Sequence, residues 1–232
     1  MPTILAIETS ADLASAALLH GDVLISDESG GVVTHSQTIL PMVQRLLAQA
    51  GISLAQCDAI AYGAGPGSFT GVRTACGIAQ GLAFGAELPV LPVVTLLAMA
   101  QDCRERSGEN RILAVLDARM GEVYWAQYEF ADGWQTMVPP TLSSAEAVAP
   151  IGDVLACGNG LRAYADAFDR HGFRRCGLDE QVPHAVHIAR LGESAWSRGA
   201  AIPAREAEPL YLRNKVALTT SERMAKAAKE AA

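Results

Sequence analysis

Positive charge, paired cysteines and unbroken apolar sequence are all in short supply in this chain. Its 232 residues hold 18 Lys and Arg against 25 Asp and Glu, a net charge of -7. A domain that grips nucleic acid unaided is usually basic, because its affinity comes from neutralised phosphates. The balance here implies that any nucleic-acid contact is shared with a partner. Five cysteines, Cys57, Cys76, Cys103, Cys157 and Cys176, are odd in number and widely spaced, with no Cys-x-x-Cys pair. That argues against a disulfide framework and predicts reduced, mostly buried thiols in a cytoplasmic protein. No apolar stretch is long and uncharged enough to span a bilayer. Met1 to Ser10 carries Glu8 and no Lys or Arg, unlike the basic start of a secretion signal.

What is present is core-forming sequence. Half of the residues are hydrophobic and 19% are charged, enough for one large domain or two small ones. Thr3–Ile7, Ala14–Leu19 and Val23–Ser26 read as three strands of a meander, broken at Gly30-Gly31. A helix over 36–50 follows, with Pro41 in its first turn, an apolar stripe of Ile39, Met42, Val43, Leu46, Leu47 and Ala50, and Gly51 at its end. A strand over 58–62, a glycine-rich turn and a second helix over 71–84 come next. Pro89 and Pro92 flank a short extended piece, and Thr95–Cys103 reads as helix. The polar stretch from Glu105 to Asn110 marks a lobe boundary, giving an N-terminal lobe over 1–104 and a C-terminal lobe over 105–215. The second lobe restarts the pattern. Strands at Ile112–Leu116 and Val123–Phe130 flank a turn at Asp117–Gly121. A loop with Pro139-Pro140 follows, then a short helix capped by Ser143 or Ser144, and a strand at 154–157 that enters Gly158-Asn159-Gly160. Pro183–Arg198 reads as a long helix that can return to the first lobe, and 216–232 as an alanine- and charge-rich tail. The fold class is α/β in two lobes, each a mixed sheet with flanking helices.

The glycine-rich turn, Gly63-Ala-Gly-Pro-Gly-Ser-Phe-Thr-Gly71, is the most informative segment. Glycines in a turn ahead of a helix allow close packing and can present free amides to an anion. No lysine follows as a P-loop requires, and Ser68 stands where a dinucleotide fingerprint needs its third glycine. An anion site and a structural turn both remain open. The helix that follows has an apolar stripe of Val72, Ala75, Cys76, Ala79, Leu82 and Ala83. Gly77, Gly81 and Gly85 recur every fourth residue on its other side, with Thr74 nearby. Each glycine inside a helix costs about 1 kcal/mol relative to alanine, so a close neighbour is expected there. Another helix of the same chain and a partner subunit both satisfy that need.

Glu8-Thr9-Ser10, Gly65-Pro-Gly67 and Gly158-Asn159-Gly160 are three turns that can face one cleft between the lobes and orient a phosphate. Ordinary turn chemistry accounts for the same letters. His184 and His187 lie one helical turn apart without a third ligand in the sequence nearby, so no metal is expected. His35 reads as a capping or partner-contact residue. The segment Gly67-Ser68-Phe69 lacks a nucleophile elbow. Arg170, Arg174 and Arg175 read as a solvated basic loop.

Four segments together carry a resemblance: Ile4-Leu-Ala-Ile-Glu-Thr-Ser10, Ala61-Tyr-Gly-Ala-Gly-Pro-Gly-Ser-Phe-Thr-Gly-Val-Arg73, Asp117-Ala-Arg-Met-Gly-Glu-Val-Tyr124 and Pro209-Leu-Tyr-Leu-Arg213. In that order they closely resemble the bacterial TsaB (YeaZ) family, and the first two also resemble its paralogue TsaD. The resemblance implies an actin-like fold of the acetate and sugar kinase superfamily. It also implies a non-catalytic role in making N6-threonylcarbamoyladenosine beside the anticodon of tRNA. TsaD would be the catalytic partner in a heterodimer, TsaE a further component, and tRNA would be met mainly through the complex. Alone, the chain would form a homodimer. TsaD-type sequences carry a His-x-x-x-His metal motif at the positions held here by Thr95 and Met99, neither of which replaces imidazole as a ligand. No cofactor is therefore expected, and Glu8, Thr9, Ser10, Gly65, Gly67, Gly158 and Gly160 are read as vestigial phosphate loops. The family analogy places Ile39, Val43, Leu46, Thr74, Gly77, Ile78 and Gly81 at the subunit interface. The alternatives are an active nucleotide-dependent phosphotransferase or ATPase of the same superfamily, and a glycoprotease-like hydrolase.

Overall fold

The computed structural model describes residues 1–30, 34–170, 173–175 and 177–213. His171, Cys176 and the tail expected over 216–232 lie outside the described residues.

β1 (Ile4–Glu8), β2 (Leu13–His20) and β3 (Val23–Gly30) form the antiparallel meander that the sequence predicts. α1 (His35–Ala50) leads to β4 (Ala59–Gly65), and α2 (Phe69–Ala86) to β5 (Val90–Val94). β4 pairs parallel with β1 on one side and with β5 on the other. The first sheet therefore runs β3-β2-β1-β4-β5. Its central strands β1 and β4 are buried at every residue, which is why they lack polar alternation. The edge strand β3 alternates instead, with an exposed or half-buried residue at every position.

α3 (Thr95–Ser107) carries the chain into the second sheet. β6 (Arg111–Arg119), β7 (Glu122–Phe130) and β8 (Trp134–Ser144) are antiparallel neighbours. β9 (Leu155–Cys157) joins β6 in parallel and is followed by α4 (Gly160–Ala163) and α5 (Ala165–Phe168). β10 (Arg174–Arg175) completes the order β10-β9-β6-β7-β8, and α6 (Ala185–Ser197) ends the helical part.

Each sheet is covered on both faces. Leu5, Ile7, Leu18, Ile60 and Tyr62 pack under α1 and α2. Ile4, Ala6, Ala17, Ala59 and Ala61 pack against Ala185, Ile188 and Ala189 of α6, so the last helix does lie on the first sheet. On the second sheet, Ile112, Ala114 and Leu116 pack against Leu96, Met99, Ala100 and Cys103 of α3. Val115, Trp125 and Val123 form the opposite core with Leu161 and Phe168.

Three local expectations change. Pro139 and Pro140 sit within β8 rather than a loop. β8 is an edge strand, and the ladder is irregular between Trp125 and Gln127 where the prolines fall. A proline cannot donate to a ladder, so a bulged edge accommodates it. The turn expected at Asp117–Gly121 contracts, because β6 continues to Arg119 and only Met120 and Gly121 separate it from β7. α3 continues through the polar stretch to Ser107 and stops at Gly108, whose φ is 77°. Its polar residues lie on its exposed side while Cys103 and Asp102 stay buried.

α3 and α6 pack together and join the two sheets. His187 Nε2 lies 3.3 Å from the Asp102 carboxylate, and Arg190 pairs with Glu105. Gln181 Nε2 donates to Asp102 at 2.7 Å and to the Met99 carbonyl at 2.9 Å.

Candidate functional site

A cavity of about 250 Å³ lies between the sheets, lined by Ser10, Asp12, Gly67, Ser68, Asp117, Arg119, Tyr124, Asn159 and the segment 210–213 among others. All three turns singled out in the sequence thus reach one cleft. β1 delivers Ser10, β4 delivers Gly67 at the start of α2, and β9 delivers Asn159 at the start of α4. Asn159 Oδ1 accepts from the Asp117 amide at 2.9 Å.

The glycines of the 63–71 turn are occupied by the chain's own first turn. A side chain at Gly71 would strike the Thr9 carbonyl, and one at Gly63 would strike the Glu8 carboxylate. Ser68 N–H donates to Ser10 O at 2.7 Å, Thr9 Oγ1 donates to Gly71 O at 2.7 Å, and Gly71 N–H donates to Ser68 Oγ at 3.4 Å. Two of the amides at the head of α2 are therefore already used. The cleft also presents the Asp12 and Asp117 carboxylates, which repel a polyphosphate. Arg119 lies between them, with Nη2 at 3.3 Å from Asp12 and Nη1 at 3.2 Å from Asp117.

Glu8 is fully buried at the end of β1, directly beneath this turn. One oxygen accepts from the Ser10 amide at 2.5 Å, and the other has no hydrogen-bond partner among the described residues. Burial pushes its carboxyl up to about 7, against an opposing pull from Ser10 and Thr9.

The segment 208–213 contributes more to the cleft than its letters suggest. Tyr62 Oη donates to the Glu208 carbonyl and receives the Glu208 amide, both at 3.1 Å. Leu210 N–H donates to Ala64 O at 2.7 Å, and the Leu210 carbonyl lies where a side chain at Gly65 would be. Tyr211 Oη receives Arg73 Nε at 2.5 Å, and the Arg73 guanidinium lies 3.6 Å from the centre of the Phe69 ring. Arg213 pairs with Glu122 of β7 at 2.6 Å. One strap thus ties β4, α2 and β7 together. The Pro209–Arg213 and Asp117–Tyr124 segments were visible as motifs, but their meeting across the cleft needs the fold. A composition of Leu, Tyr and Arg gives no sign of it.

The exposed side of α2 is open. Among the described residues, nothing outside the helix's own neighbouring backbone comes within 4 Å of a side chain placed at Gly77, Gly81 or Gly85. Phe84 beside them is 80% exposed. Of the predicted stripe, Val72, Ala75, Cys76, Ala79 and Ala83 are buried, while Leu82 is half-buried at its edge. No helix of this chain is the close neighbour that the glycines imply among the described residues. The α1 residues need correcting. Ile39, Val43 and Leu46 are 0%, 3% and 1% exposed and belong to the core under the first sheet. Their regular apolar spacing marks the face toward their own sheet, so they cannot touch a partner. Thr74 and Ile78 are half-buried.

The remaining polar candidates have structural partners. His35 begins α1, with ring nitrogens 3.3 Å from Thr9 O and 3.4 Å from Asp12 O; Thr34 is the capping position. His184 caps α6 by accepting from the Val186 amide, and its Nε2 faces Glu28 at 3.0 Å. Burial holds the His184 imidazole below its ordinary value, with Glu28 opposing. Arg174 pairs with Glu109 and Asp153, and Arg175 with Asp169, on a short strand rather than a solvated loop. Cys57, Cys76, Cys103 and Cys157 are buried and form no disulfide.

Two mixed five-stranded sheets with flanking helices and a cleft between them define a two-lobed α/β protein of actin-like architecture. The family model for tRNA N6-adenosine threonylcarbamoyltransferase (TsaD) matches residues 20–217. The tRNA threonylcarbamoyladenosine biosynthesis protein TsaB of Escherichia coli is 39% identical over 92% of this chain and 96% of its own. The TsaB of Haemophilus influenzae is 38% identical over 92% and 94%. The solved structure of YeaZ from Pseudomonas aeruginosa superposes with a TM-score of 0.85 at 38% identity, over 91% of this chain and all of that one. A second Pseudomonas aeruginosa structure, described as similar to peptidase YEAZ, gives the same TM-score. The chain belongs to the TsaB (YeaZ) family.

Proposed function

We propose that this chain is the non-catalytic subunit of a tRNA-modifying assembly and docks on a TsaD-type transferase through the exposed face of α2. The relatives are named for biosynthesis of threonylcarbamoyladenosine in tRNA. The observation that carries the docking reading is the run of Gly77, Gly81 and Gly85 with open space beyond the helix among the described residues, next to an exposed Phe84. Helix-breaking residues and a bare aromatic ring on one face are expensive in a lone protein and useful in a covered one. Thr74 and Ile78 border this face, and a second copy of the chain covers it when the transferase is absent. The cleft side supports a subunit without chemistry of its own. Thr95 donates to the Pro66 carbonyl at 2.5 Å and is fully buried. Met99 is also fully buried, with its methyl against Gly158. TsaE is then a third component that meets the assembled pair, and the compartment is the cytoplasm.

The test is Gly81→Leu. Open space at Gly81 within one chain means that, at concentrations dilute enough to keep it monomeric, the isolated chain should keep its thermal midpoint or gain slightly. A leucine forced into a close helix contact costs about 1–3 kcal/mol, so affinity for purified TsaD should fall about tenfold to a hundredfold by calorimetry. Unchanged association would falsify the docking face. The cleft itself is the observation that favours the second reading, a nucleotide-dependent phosphotransferase or ATPase. Titration of the isolated chain with ATP separates the two, since tight binding with turnover belongs only to the enzyme.

A further inference from the structure

α2 carries one charged side chain, Arg73, and no Asp or Glu among its 18 residues. Arg73 is exposed and lies on the same side of the helix as Gly77 and Gly81, at the four-residue spacing that stacks side chains along one face. Ten other arginines of the described residues pair with carboxylates. Arg73 does not. Its Nε donates to Tyr211 Oη at 2.5 Å, and its guanidinium carbon lies 3.6 Å from the centre of the Phe69 ring and 5.3 Å from that of Tyr211. Among the described residues no acceptor meets its two terminal nitrogens.

The two rings and the Tyr211 hydroxyl fix the plane of the guanidinium while its outer edge faces water. Tyr211 is itself held by the strap, through Leu210 N–H to Ala64 O and Arg213 to Glu122. A long side chain normally loses rotamer freedom when it is bound. Here the chain has already ordered it. A guanidinium with a fixed plane and unpaired N–H groups matches a carboxylate, which accepts two parallel bonds.

We infer that Arg73, clamped by Phe69 and Tyr211, takes a carboxylate of the transferase-type partner and fixes how that partner sits on α2. The inference rests on the docking reading above and adds a polar anchor to its apolar face. Position favours a protein as the occupant, because whatever packs closely over Gly77 and Gly81 arrives beside Arg73 one turn earlier. Charge disfavours RNA, since a net charge of -7 repels a polyanion. A single carboxylate beside an unpaired guanidinium is drawn in.

The test measures binding of the full chain to immobilised, purified TsaD, with Arg73→Gln, Arg73→Lys, Tyr211→Phe and Gly81→Leu side by side. Arg73→Gln should weaken binding about 30-fold or more, as truncation of an interface anchor does, and should flatten the salt dependence of the affinity. Arg73→Lys keeps the charge and an apolar stem over the Phe69 ring, so it should restore the thermal midpoint of the dilute monomer. It offers no paired N–H groups, so most of the lost affinity should stay lost. Tyr211→Phe removes only the hydroxyl that orients Arg73 and should cost about 2- to 10-fold. Wild-type affinity in both Arg73 variants, with Gly81→Leu weakened, would overturn the inference and leave the docking reading standing. The same holds if the Arg73 variants instead lose tRNA binding by the assembled pair, or only self-association. Full rescue of affinity by lysine would also overturn it, because paired hydrogen bonds would not be in use. Wild-type affinity in all four variants would remove the docking reading as well.

Discussion

Glu8→Gln probes the floor of the cleft without changing its shape. The folded chain holds the Glu8 proton up to about pH 7, whereas an ordinary glutamate releases it near 4.5. At about 1.4 kcal/mol per pH unit, that gap corresponds to about 3 kcal/mol. Below pH 4.5 both folded and unfolded chains keep the proton, and the carboxyl carries no ionisation penalty. Above it the unfolded chain ionises first, so stability falls as pH rises and stops falling near pH 7. Glutamine keeps an oxygen for the Ser10 amide and cannot ionise. Any misfit of its amide against Gly63 is the same at every pH, so the pH dependence of the difference is the readout. The variant should gain on the wild type by up to about 3 kcal/mol between pH 4.5 and 8, measured by urea unfolding at intervals across that range. A difference that stays flat with pH would show that Glu8 is ionised in the fold and that its burial has been misjudged.

The two sets of glycines should respond oppositely to the same substitution. Gly71→Ala drives a methyl into the Thr9 carbonyl, which is backbone and cannot swing aside, so a loss of about 1–3 kcal/mol is expected in chemical denaturation; a neutral result would refute the close packing of the two turns. Gly77→Ala meets open space within one chain and should raise the stability of the dilute, monomeric protein by about 1 kcal/mol through helix propensity; a drop in the thermal midpoint of that monomer would mean that the α2 face is covered within the chain.

The contrast between those glycines explains what was legible in the letters. Spacing alone separated the two sides of α2, because burial follows the 3.6-residue repeat. The same repeat misled at Ile39, Val43 and Leu46. Periodicity reveals that a helix has an apolar face but not what covers it, and a sheet of the same chain leaves the same trace as a partner. Residues 139–140 misled for a related reason, since a proline pair reads as a loop until the neighbouring strand and its bulge are known. Convergence of the three turns on one cleft was readable because each follows a strand, and strand ends gather at one side of a parallel pair. The strap at 208–213 was not readable as a strap. Its lobe-to-lobe bonds join Tyr62 to Glu208 and Glu122 to Arg213, and such separations are set by topology alone.

A two-lobed enzyme works by closing around its ligand, which needs lobes that can part. This chain fastens them on both sides. On the cleft side, Arg119 spans Asp12 and Asp117, and the strap runs from β4 to β7. On the far side, Asp102, Gln181 and His187 link α3 to α6 through largely buried polar contacts. Exposed ion pairs such as Arg119 with Asp12 add little by themselves. The backbone bonds of the strap and the buried Asp102 cluster are the stronger restraints, because breaking them strands polar groups away from water. Under the proposed function these restraints have a use: lobes fastened together give up closing motion and hold α2 in place, and a helix held in place loses little freedom when a partner covers it.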